Sequence, residues 1–384
     1  MKFNGSITSK LPRVGTNIFT QMSALSNQEG AINLSQGFPD FDLDPNLIDL
    51  VRQKMSSGLN QYAPMQGTLA LRESIAAKLY NTYGAVYDPA SEIVVTAGAT
   101  QAIYTVITAL VHEGDEVIMF TPAYDCYAPA IQLSGGEPVY VQMHYPDYAI
   151  DWQEVKKLVN RRTKMIIINT PHNPSGKVLG PSDMDELERI TAGNDILILS
   201  DEVYEHIIFD QAKHESVCKY ESLRERSLAI YSFGKTFHCT GWKMGYCVGP
   251  ENLMKEFQKV HQFNVFAVNH PIQAALADYI KHESSYNTIA PFYQEKRNYF
   301  EDLLSTSRFE VIKSEGSYFQ LVSYKNISDE IDTDFCVRLT KERKVSAIPI
   351  SVFYHNPVHE GVIRFCFAKK PDTLKKAAEI LCKI

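Results

Sequence analysis

Long apolar runs are missing from this sequence of 384 residues. The longest ones, at 165–168 and 196–199, fall far short of the ~20 apolar residues that a membrane-spanning helix needs. The first residues, 1–6, lack the apolar core that a secretory signal peptide carries. These absences predict a protein that neither binds within a membrane nor is exported, and we expect it in the cytoplasm.

Excess positive charge and paired cysteines are also missing. The formal net charge is -7, which argues against a general affinity for nucleic acid or for anionic membranes. The seven cysteines are odd in number and scattered, without a C-x-x-C pair. That pattern predicts free thiols in a reducing compartment and no metal site.

The middle of the chain alternates short β-rich runs with helical patterns, which implies a largely parallel sheet covered by helices on both faces. A capping box with Ser182 and Asp185 is predicted to open one helix. The predicted strands are 93–96, 116–120, 138–143, 165–169, 196–200, 228–231 and 244–248, and the helices between them include 100–111, 152–159 and 184–192.

The ends of the chain show a different secondary-structure pattern from the middle. A chain of 384 residues is also too long to fold around one small hydrophobic core, which predicts two domains. A helix at 291–305 and strands at 318–322 and 362–367 predict a smaller α+β unit, whereas 1–44 shows few helical signals. The sequence therefore predicts a large α/β domain at 45–280. Residues 1–44 and 281–384 would form the small domain.

Lys235 carries the most informative chemistry. It follows the apolar strand 228–231 directly, in a turn with Ser232 and Gly234. A lone lysine is usually a solvated surface residue. A lysine in such a turn favours another role, because lysine forms an imine with an aldehyde cofactor once its surroundings lower its pKa.

Other polar residues follow neighbouring strands, where ligands bind in sheets of this kind. Asp201 would keep a pyridine nitrogen protonated, and Tyr204 with Asn173 would donate to the phenolic oxygen of the same ring. Asp201 taken alone is as well explained as a strand-end cap, and Asn173 as part of an Asn-Pro turn. Together with Lys235 they are the parts that pyridoxal phosphate chemistry needs.

A phosphate and a carboxylate need partners of their own. The strand-to-helix turn at 96–101 offers backbone N–H groups to an anion, and Ser232 and Lys243 would complete that cradle. Tyr124 is placed to stack on the pyridine ring, although a core tyrosine is the ordinary alternative. Arg364 can present a rigid fork to a substrate carboxylate, the alternative being a strand-edge arginine in water.

Six ordered motifs resemble one family over essentially the whole chain, at 33–41, 60–64, 169–177, 200–205, 232–235 and 363–367. The sequence is similar to the class I pyridoxal-phosphate aminotransferases of fold type I. Within them it resembles the branch that holds bacterial methionine aminotransferase and the kynurenine/glutamine transaminases. The resemblance implies a seven-stranded, mainly parallel sheet between helices, a smaller α+β domain, and a homodimer with its active sites at the subunit interface.

The resemblance also implies roles for individual residues. Lys235, Asp201 and Tyr204 would be catalytic, and Arg364, Asn173 and the backbone N–H of Gly37 would bind the substrate carboxylate. Many relatives have arginine where this chain has Lys243, whereas the kynurenine/glutamine-like branch has lysine. The remaining cofactor contacts would come from Tyr124, Gly98, Ala99, Thr100, Ser232, Lys243, Asn173 and, from the neighbouring subunit, Tyr62.

The implied reaction moves an amino group from an amino acid to a 2-oxo acid by a ping-pong mechanism. No second arginine is evident for a dicarboxylate side chain, so aspartate is expected to be a poor substrate. Phe19, Tyr62 and Phe266 are candidates for an apolar pocket suited to methionine, aromatic residues or glutamine. Such a pocket discriminates by only about 1–3 kcal/mol per methylene, and each of the three aromatics is equally explained as a core residue.

Two other functions remain open at this point. A β-lyase that cleaves the C–S bond of cysteine conjugates would share every cofactor contact and differ only in releasing pyruvate and ammonia. A non-catalytic ligand-sensing module of the same fold would normally follow a DNA-binding domain, and the segment before Asn33 is too short for one.

Overall fold

The computed structural model describes residue 1, residues 3–12 and residues 14–384. Its helices are α1 (Ile18–Glu29), α2 (Pro45–Ser56), α3 (Leu69–Tyr83), α4 (Ala99–Leu110), α5 (Tyr127–Leu133), α6 (Trp152–Leu158), α7 (Pro181–Thr191), α8 (Glu221–Arg224), α9 (Phe233–Thr236), α10 (Glu251–Asn264), α11 (His270–Tyr279), α12 (Ser284–Asn287), α13 (Ile289–Leu304), α14 (Asp332–Arg343) and α15 (Pro371–Leu381). Its strands are β1 (Ile32–Asn33), β2 (Ile93–Thr96), β3 (Glu116–Thr121), β4 (Glu137–Gln142), β5 (Thr163–Asn169), β6 (Leu197–Asp201), β7 (Ser227–Ser232), β8 (Gly245–Val248), β9 (Glu310–Ile312), β10 (Phe319–Ser323), β11 (Val345–Ser346), β12 (Ile348–Pro349) and β13 (Val362–Cys366).

The central sheet has seven strands in the order β2-β8-β7-β6-β5-β3-β4. Strand β8 runs antiparallel to β2 and β7, and every other pair is parallel. Alternate residues of β5 point into two different apolar clusters, Ile166 and Ile168 into one and Met165 and Ile167 into the other. Both faces of the sheet are therefore covered by helices, and the predicted mainly parallel sheet of seven strands is confirmed.

A second sheet is formed by the C-terminal part of the chain. Its four strands, in the order β12-β13-β10-β9, are antiparallel throughout. Separately, β1 pairs in parallel with β11, Ile32 opposite Val345, so the N-terminal segment is tied to the C-terminal part. This pairing carries the loop after β1 towards the carboxyl edge of the central sheet.

Helix α1 was not predicted, because residues 1–44 show few helical signals in sequence. Its ends are nevertheless well specified. The side chain of Asn17 accepts a 2.7 Å hydrogen bond from the backbone N–H of Phe19, and Gly30 closes the helix in the left-handed conformation, with φ of 59°. Met22 is the one fully buried apolar residue of α1, and Ile18, Phe19 and Leu25 pack beside it against the core only partly buried, so the apolar stripe of this helix is short.

The predicted capping box with Ser182 and Asp185 is wrong by two residues. Helix α7 begins at Pro181, with Gly180 at the N-cap, and the backbone N–H of Gly180 donates a 2.8 Å hydrogen bond to Asp183. The other carboxylate oxygen of Asp183 accepts from the indole N–H of Trp152 at 2.9 Å. This second contact links α7 to α6 and favours Asp183 as the capping residue.

Within the described residues, no helix has both the length and the apolarity that a membrane crossing requires. The same residues contain no cluster of three or more histidine, cysteine or acidic side chains arranged to hold a metal ion.

Candidate active site

A cavity of about 450 Å³ lies at the carboxyl ends of β5, β6 and β7. The register of the sheet places Asn169 beside Asp201, so these strand ends meet at one edge. The second sheet contributes Phe319 and Arg364. Predicted site residues that line the cavity are Phe19, Gly37, Ala99, Thr100, Tyr124, Asn173, Asp201, Tyr204, Lys235, Lys243 and Arg364.

Lys235 lies on α9, a single helical turn that follows β7. The hydroxyl of Ser232 accepts a 3.3 Å hydrogen bond from the backbone N–H of Lys235 and so caps this turn. The ammonium nitrogen Nζ lies 2.9 Å from the hydroxyl oxygen of Tyr318 and 3.4 Å from the carbonyl oxygen of Gly37. Burial lowers the pKa of Lys235 to about 8. The amine is therefore still mainly protonated at pH 7, but a far larger fraction of it is neutral than for a lysine with the ordinary pKa.

Asp201 is the last residue of β6 and is only 4 % exposed. Burial raises the pKa of Asp201 to about 6, against the opposing effect of a 2.5 Å hydrogen bond from the hydroxyl of Tyr127. The carboxylate is therefore mainly ionised at pH 7. Tyr127 was not predicted as a site residue, although it stands three residues after Tyr124 in the same aromatic stretch.

A chain of hydrogen bonds orients Asn173. The side-chain amide of Asn169 donates to the backbone oxygen of Asp201 at 2.9 Å and accepts from the backbone N–H of Asn173 at 2.8 Å. The side-chain oxygen of Asn173 accepts a 2.7 Å hydrogen bond from Arg364. Because that oxygen faces Arg364, the Nδ2 group of Asn173 is left to donate elsewhere.

Arg364 lies in the middle of β13 and is completely buried, which excludes the alternative of a strand-edge arginine in water. Its Nη2 donates to the carbonyl of Ser35 at 3.2 Å, and its guanidinium lies 3.7 Å from the ring centroid of Phe319. Burial lowers the pKa of Arg364 to about 10, so the group stays charged. Its Nε has no hydrogen-bond partner among the described residues. A buried cation with an unused donor is suited to an anionic ligand.

The N-terminus of α4 lies where the sequence predicts an anion cradle. Gly98 is the N-cap, with φ of 80°, and the side chain of Lys243 lies close to it. Gly245 on β8 lets the strand approach this turn, because a Cβ there would lie 2.6 Å from the carbonyl oxygen of Tyr231 and 3.2 Å from the nitrogen of Ala99. Backbone N–H groups, the helix dipole and a lysine together favour a phosphate.

Four predicted residues lie outside the cavity lining: Gly98, Ser232, Tyr62 and Phe266. Gly98 directly precedes the lining residue Ala99, and the hydroxyl of Ser232 accepts a hydrogen bond from the backbone N–H of the lining residue Lys235. Tyr62 and Phe266 are 81 % and 54 % exposed and meet edge-on, with ring centroids 5.2 Å apart. Phe266, just beyond the end of α10, therefore lies on the surface beside Tyr62 and does not line the cavity of its own chain.

The family model of aminotransferase class I and II matches residues 29–381. This chain belongs to the class I and II aminotransferases. It is 52 % identical to methionine aminotransferase of Escherichia coli over 97 % of each chain, and 32 % identical to mouse kynurenine–oxoglutarate transaminase 1 over 97 % of this chain and 96 % of the relative. These similarities confirm the predicted family and enzyme class and favour the aminotransferase over the lyase.

Solved structures extend the comparison to the fold. An E. coli protein whose crystal structure and reactivity identify a methionine aminotransferase function superposes with a TM-score of 0.97, at 51 % identity over 99 % of this chain and 100 % of that chain. N-succinyldiaminopimelate aminotransferase of Mycobacterium tuberculosis gives 0.95, at 34 % identity over 98 % and 100 %. The predicted fold type I is thereby confirmed, and enzymes of this family and fold depend on pyridoxal phosphate.

Proposed function

We propose that this aminotransferase uses pyridoxal 5'-phosphate to move the amino group of methionine, or of another apolar, aromatic or glutamine-like amino acid, to a 2-oxo acid by a ping-pong mechanism. The observation that carries the proposal is the convergence of Lys235, Asp201 and Arg364 on one cavity. An amine, a carboxylate and a guanidinium are the three charged groups that cofactor and substrate require. The similarity to methionine aminotransferase supports the choice of amino donor.

The donor set of the cavity fits this cofactor. The N–H groups at Gly98, Ala99 and Thr100 would bind its phosphate, together with Ser232 and Lys243. Asp201 would face the pyridine nitrogen, and Tyr124 would stack on the ring. When bound, the cofactor supplies an electron sink for the pair released at the substrate Cα.

Two hydrogen-bond donors would reach the phenolic oxygen of the ring. The Nδ2 group of Asn173 is available because its side-chain oxygen is occupied by Arg364. Burial raises the pKa of Tyr204 far above its ordinary value, so its hydroxyl keeps its proton and can donate it. Both residues lie at the cavity beside Asp201.

Three charged residues would act on the ring nitrogen, the substrate Cα and the substrate carboxylate. Asp201, ionised at pH 7, would hold a proton on the ring nitrogen. The Nζ of Lys235, with its lowered pKa, would accept the proton from the substrate Cα. Arg364, with Asn173 and the backbone N–H of Gly37, would fix the substrate carboxylate.

The substrate side chain would lie against apolar groups. Phe19 lines the cavity and packs on Phe353 with ring centroids 5.7 Å apart. Among the described residues that line the cavity, Arg364 is the one arginine. A second carboxylate on the substrate would therefore lack a guanidinium partner, which disfavours aspartate as amino donor.

We further propose a cytoplasmic homodimer. Tyr62 and Phe266 are exposed aromatics at one point of the surface, and in a dimer they would reach the neighbouring active site, with Tyr62 on the phosphate.

We also propose a large domain at 45–280 and a small domain formed by 1–44 and 281–384. Each sheet of three or more strands falls within one of these parts.

A panel of amino donors against several 2-oxo acids tests the function. The purified protein should absorb visible light and should convert methionine with no release of pyruvate or ammonia beyond a trace. Lys235→Ala should abolish the reaction, whereas the exposed Lys255→Ala should leave it unchanged. A fully active Lys235→Ala variant would refute the assignment, and stoichiometric pyruvate and ammonia from a cysteine conjugate would favour the lyase.

A further inference from the structure

The hydroxyl of Tyr318 occupies a central position beside the proposed catalytic lysine. Its oxygen lies 2.9 Å from Nζ of Lys235 and 2.6 Å from the carbonyl oxygen of Gly37. We propose that Tyr318 is a positioning residue that holds the amine of Lys235 in place while that amine transfers the proton at the substrate Cα. This inference rests on the proposed aminotransferase function.

The side chain of Tyr318 is rigidly held. It is completely buried just before β10, and its ring contacts those of Tyr204, Tyr293 and Phe319 at centroid distances of 5.1, 5.8 and 4.9 Å. Its backbone carbonyl accepts a 3.0 Å hydrogen bond from the N–H of Phe367. The hydroxyl is therefore a rigidly positioned hydrogen-bond acceptor for the flexible side chain of Lys235.

The number of protons at this junction determines what each group does. The carbonyl of Gly37 can only accept, so the single hydroxyl proton of Tyr318 points to Gly37. The lone pairs of the tyrosine oxygen are then left to accept an N–H from Lys235. A neutral amine can make this contact as well as an ammonium, and its own lone pair stays free to accept a proton.

Tyr318 cannot itself act as the base. Burial raises the pKa of Tyr318 well above its ordinary value, so its hydroxyl remains protonated at neutral pH. A fixed acceptor reduces the number of rotamers that the four-carbon side chain of Lys235 samples. Keeping a reacting group in place in this way is worth an order of magnitude or more in rate.

Tyr318→Phe tests the proposal, because it removes the hydroxyl and keeps the ring. We expect deuterium exchange at the Cα of methionine, at saturating methionine, to slow by about tenfold or more. The KM for methionine should change by less than about twofold, because the hydroxyl of Tyr318 bonds Lys235 and the carbonyl of Gly37 and is not proposed to contact the substrate.

A second readout needs no cofactor. The pH dependence of acylation of Lys235 by acetic anhydride in cofactor-free protein reports the ionisation of its amine. Loss of an acceptor for the ammonium should move the midpoint of this reaction to lower pH. Tyr293→Phe is the matched control, because Tyr293 is equally buried and its hydroxyl bonds His238 at 3.0 Å.

Each outcome decides the question. Wild-type exchange and an unchanged acylation midpoint in Tyr318→Phe would overturn the inference and leave the proposed function standing. Equal losses in Tyr318→Phe and Tyr293→Phe would also overturn it, because the effect would then be one of packing. If the unmodified enzyme exchanged no Cα proton, the proposed function would fall, whereas a shifted midpoint would still support the contact with Lys235.

Discussion

The carboxylate of Asp201 at the end of β6 accepts a 2.5 Å hydrogen bond from the hydroxyl of Tyr127 at the start of α5. The hydroxyl of Tyr127 keeps its proton at neutral pH and donates it to this hydrogen bond, because burial raises the pKa of Tyr127 far above its usual range. Tyr127 therefore supports the ionised form of an acid that burial would otherwise push towards protonation.

Replacing Tyr127 with phenylalanine should raise the pKa of Asp201 further above 6. Hydrogen bonds to charged groups contribute about 1.5–3 kcal/mol, so the shift should be about one to two pH units. Asp201 is ionised above its pKa, so the affinity for pyridoxal phosphate should decline at a higher pH in the variant than in wild type as pH is lowered. Titrating cofactor-free protein with pyridoxal phosphate between pH 5 and 8 measures this decline in affinity.

Tyr324→Phe, which loses a 2.7 Å hydrogen bond to the carbonyl of Glu330, is the control. If the affinity of Tyr127→Phe declined at the same pH as that of wild type, the prediction would be contradicted.

Lys235→Met should make the cofactor-free protein more stable at pH 7. The folded-state pKa of Lys235 is about 8 and the ordinary value is 10.5, so the unfolded chain binds more protons between these two values. The free energy of unfolding of wild type therefore rises with pH across that window, by up to about 3 kcal/mol. The methionine variant lacks this rise.

Urea unfolding at pH 7 and pH 10 measures the difference. The advantage of Lys235→Met should be large at pH 7 and mostly lost at pH 10. Lys255→Met, at a surface position, should show no such dependence. An advantage that stayed constant with pH would mean that packing, and not the buried charge, distinguishes the variant.

The fold and most of the site could be predicted because their signals are local. Strand β5 contains a run of apolar β-branched residues, and Asn169 stands where that run ends. Asp201 and Lys235 likewise come at or just after strand ends, and parallel pairing brings those ends together.

What the sequence could not predict depends on contacts between distant residues. Tyr127 meets Asp201 across 74 positions, and Tyr318 meets Lys235 across 83. Neither tyrosine differs in its local pattern from a core residue. Their roles follow from how α5 and the second sheet pack on the central sheet, which no periodicity encodes.

Gly245→Ala should damage the anion cradle. The added Cβ would lie 2.6 Å from the carbonyl oxygen of Tyr231 and 3.2 Å from the nitrogen of Ala99, so β8 or the α4 turn has to move. Overpacking of this kind costs about 1–3 kcal/mol of stability. We expect the affinity for pyridoxal phosphate to fall by about tenfold or more, and binding of inorganic phosphate to weaken as well.

Gly241→Ala provides the control, because nothing lies within 4 Å of the Cβ that it would add. Equilibrium dialysis of both variants measures the affinities. Equal affinities would show that the approach of β8 to Ala99 is not what shapes the cradle.

Arg364→Lys should weaken the binding of amino-acid substrates while leaving the cofactor affinity within about threefold. Lysine keeps the charge but cannot contact Asn173 and Ser35 at once, as the guanidinium does at 2.7 and 3.2 Å, and still offer a fork to a carboxylate. Loss of a buried charge-assisted contact costs about 2–5 kcal/mol, so kcat/KM for methionine should fall at least about 30-fold.

The decisive measurement compares methionine with 3-(methylthio)propylamine, which has the same side chain and amine but no carboxylate. In wild type kcat/KM should be much larger for methionine than for the amine without a carboxylate. In Arg364→Lys the ratio of these two values should fall by the same factor as kcat/KM for methionine itself. Arg338→Lys, whose guanidinium bonds Glu330 at the surface of α14, should leave the ratio unchanged. A ratio unaltered by Arg364→Lys would mean that the buried guanidinium orders β13 and the Asn173 side chain without contacting the substrate carboxylate.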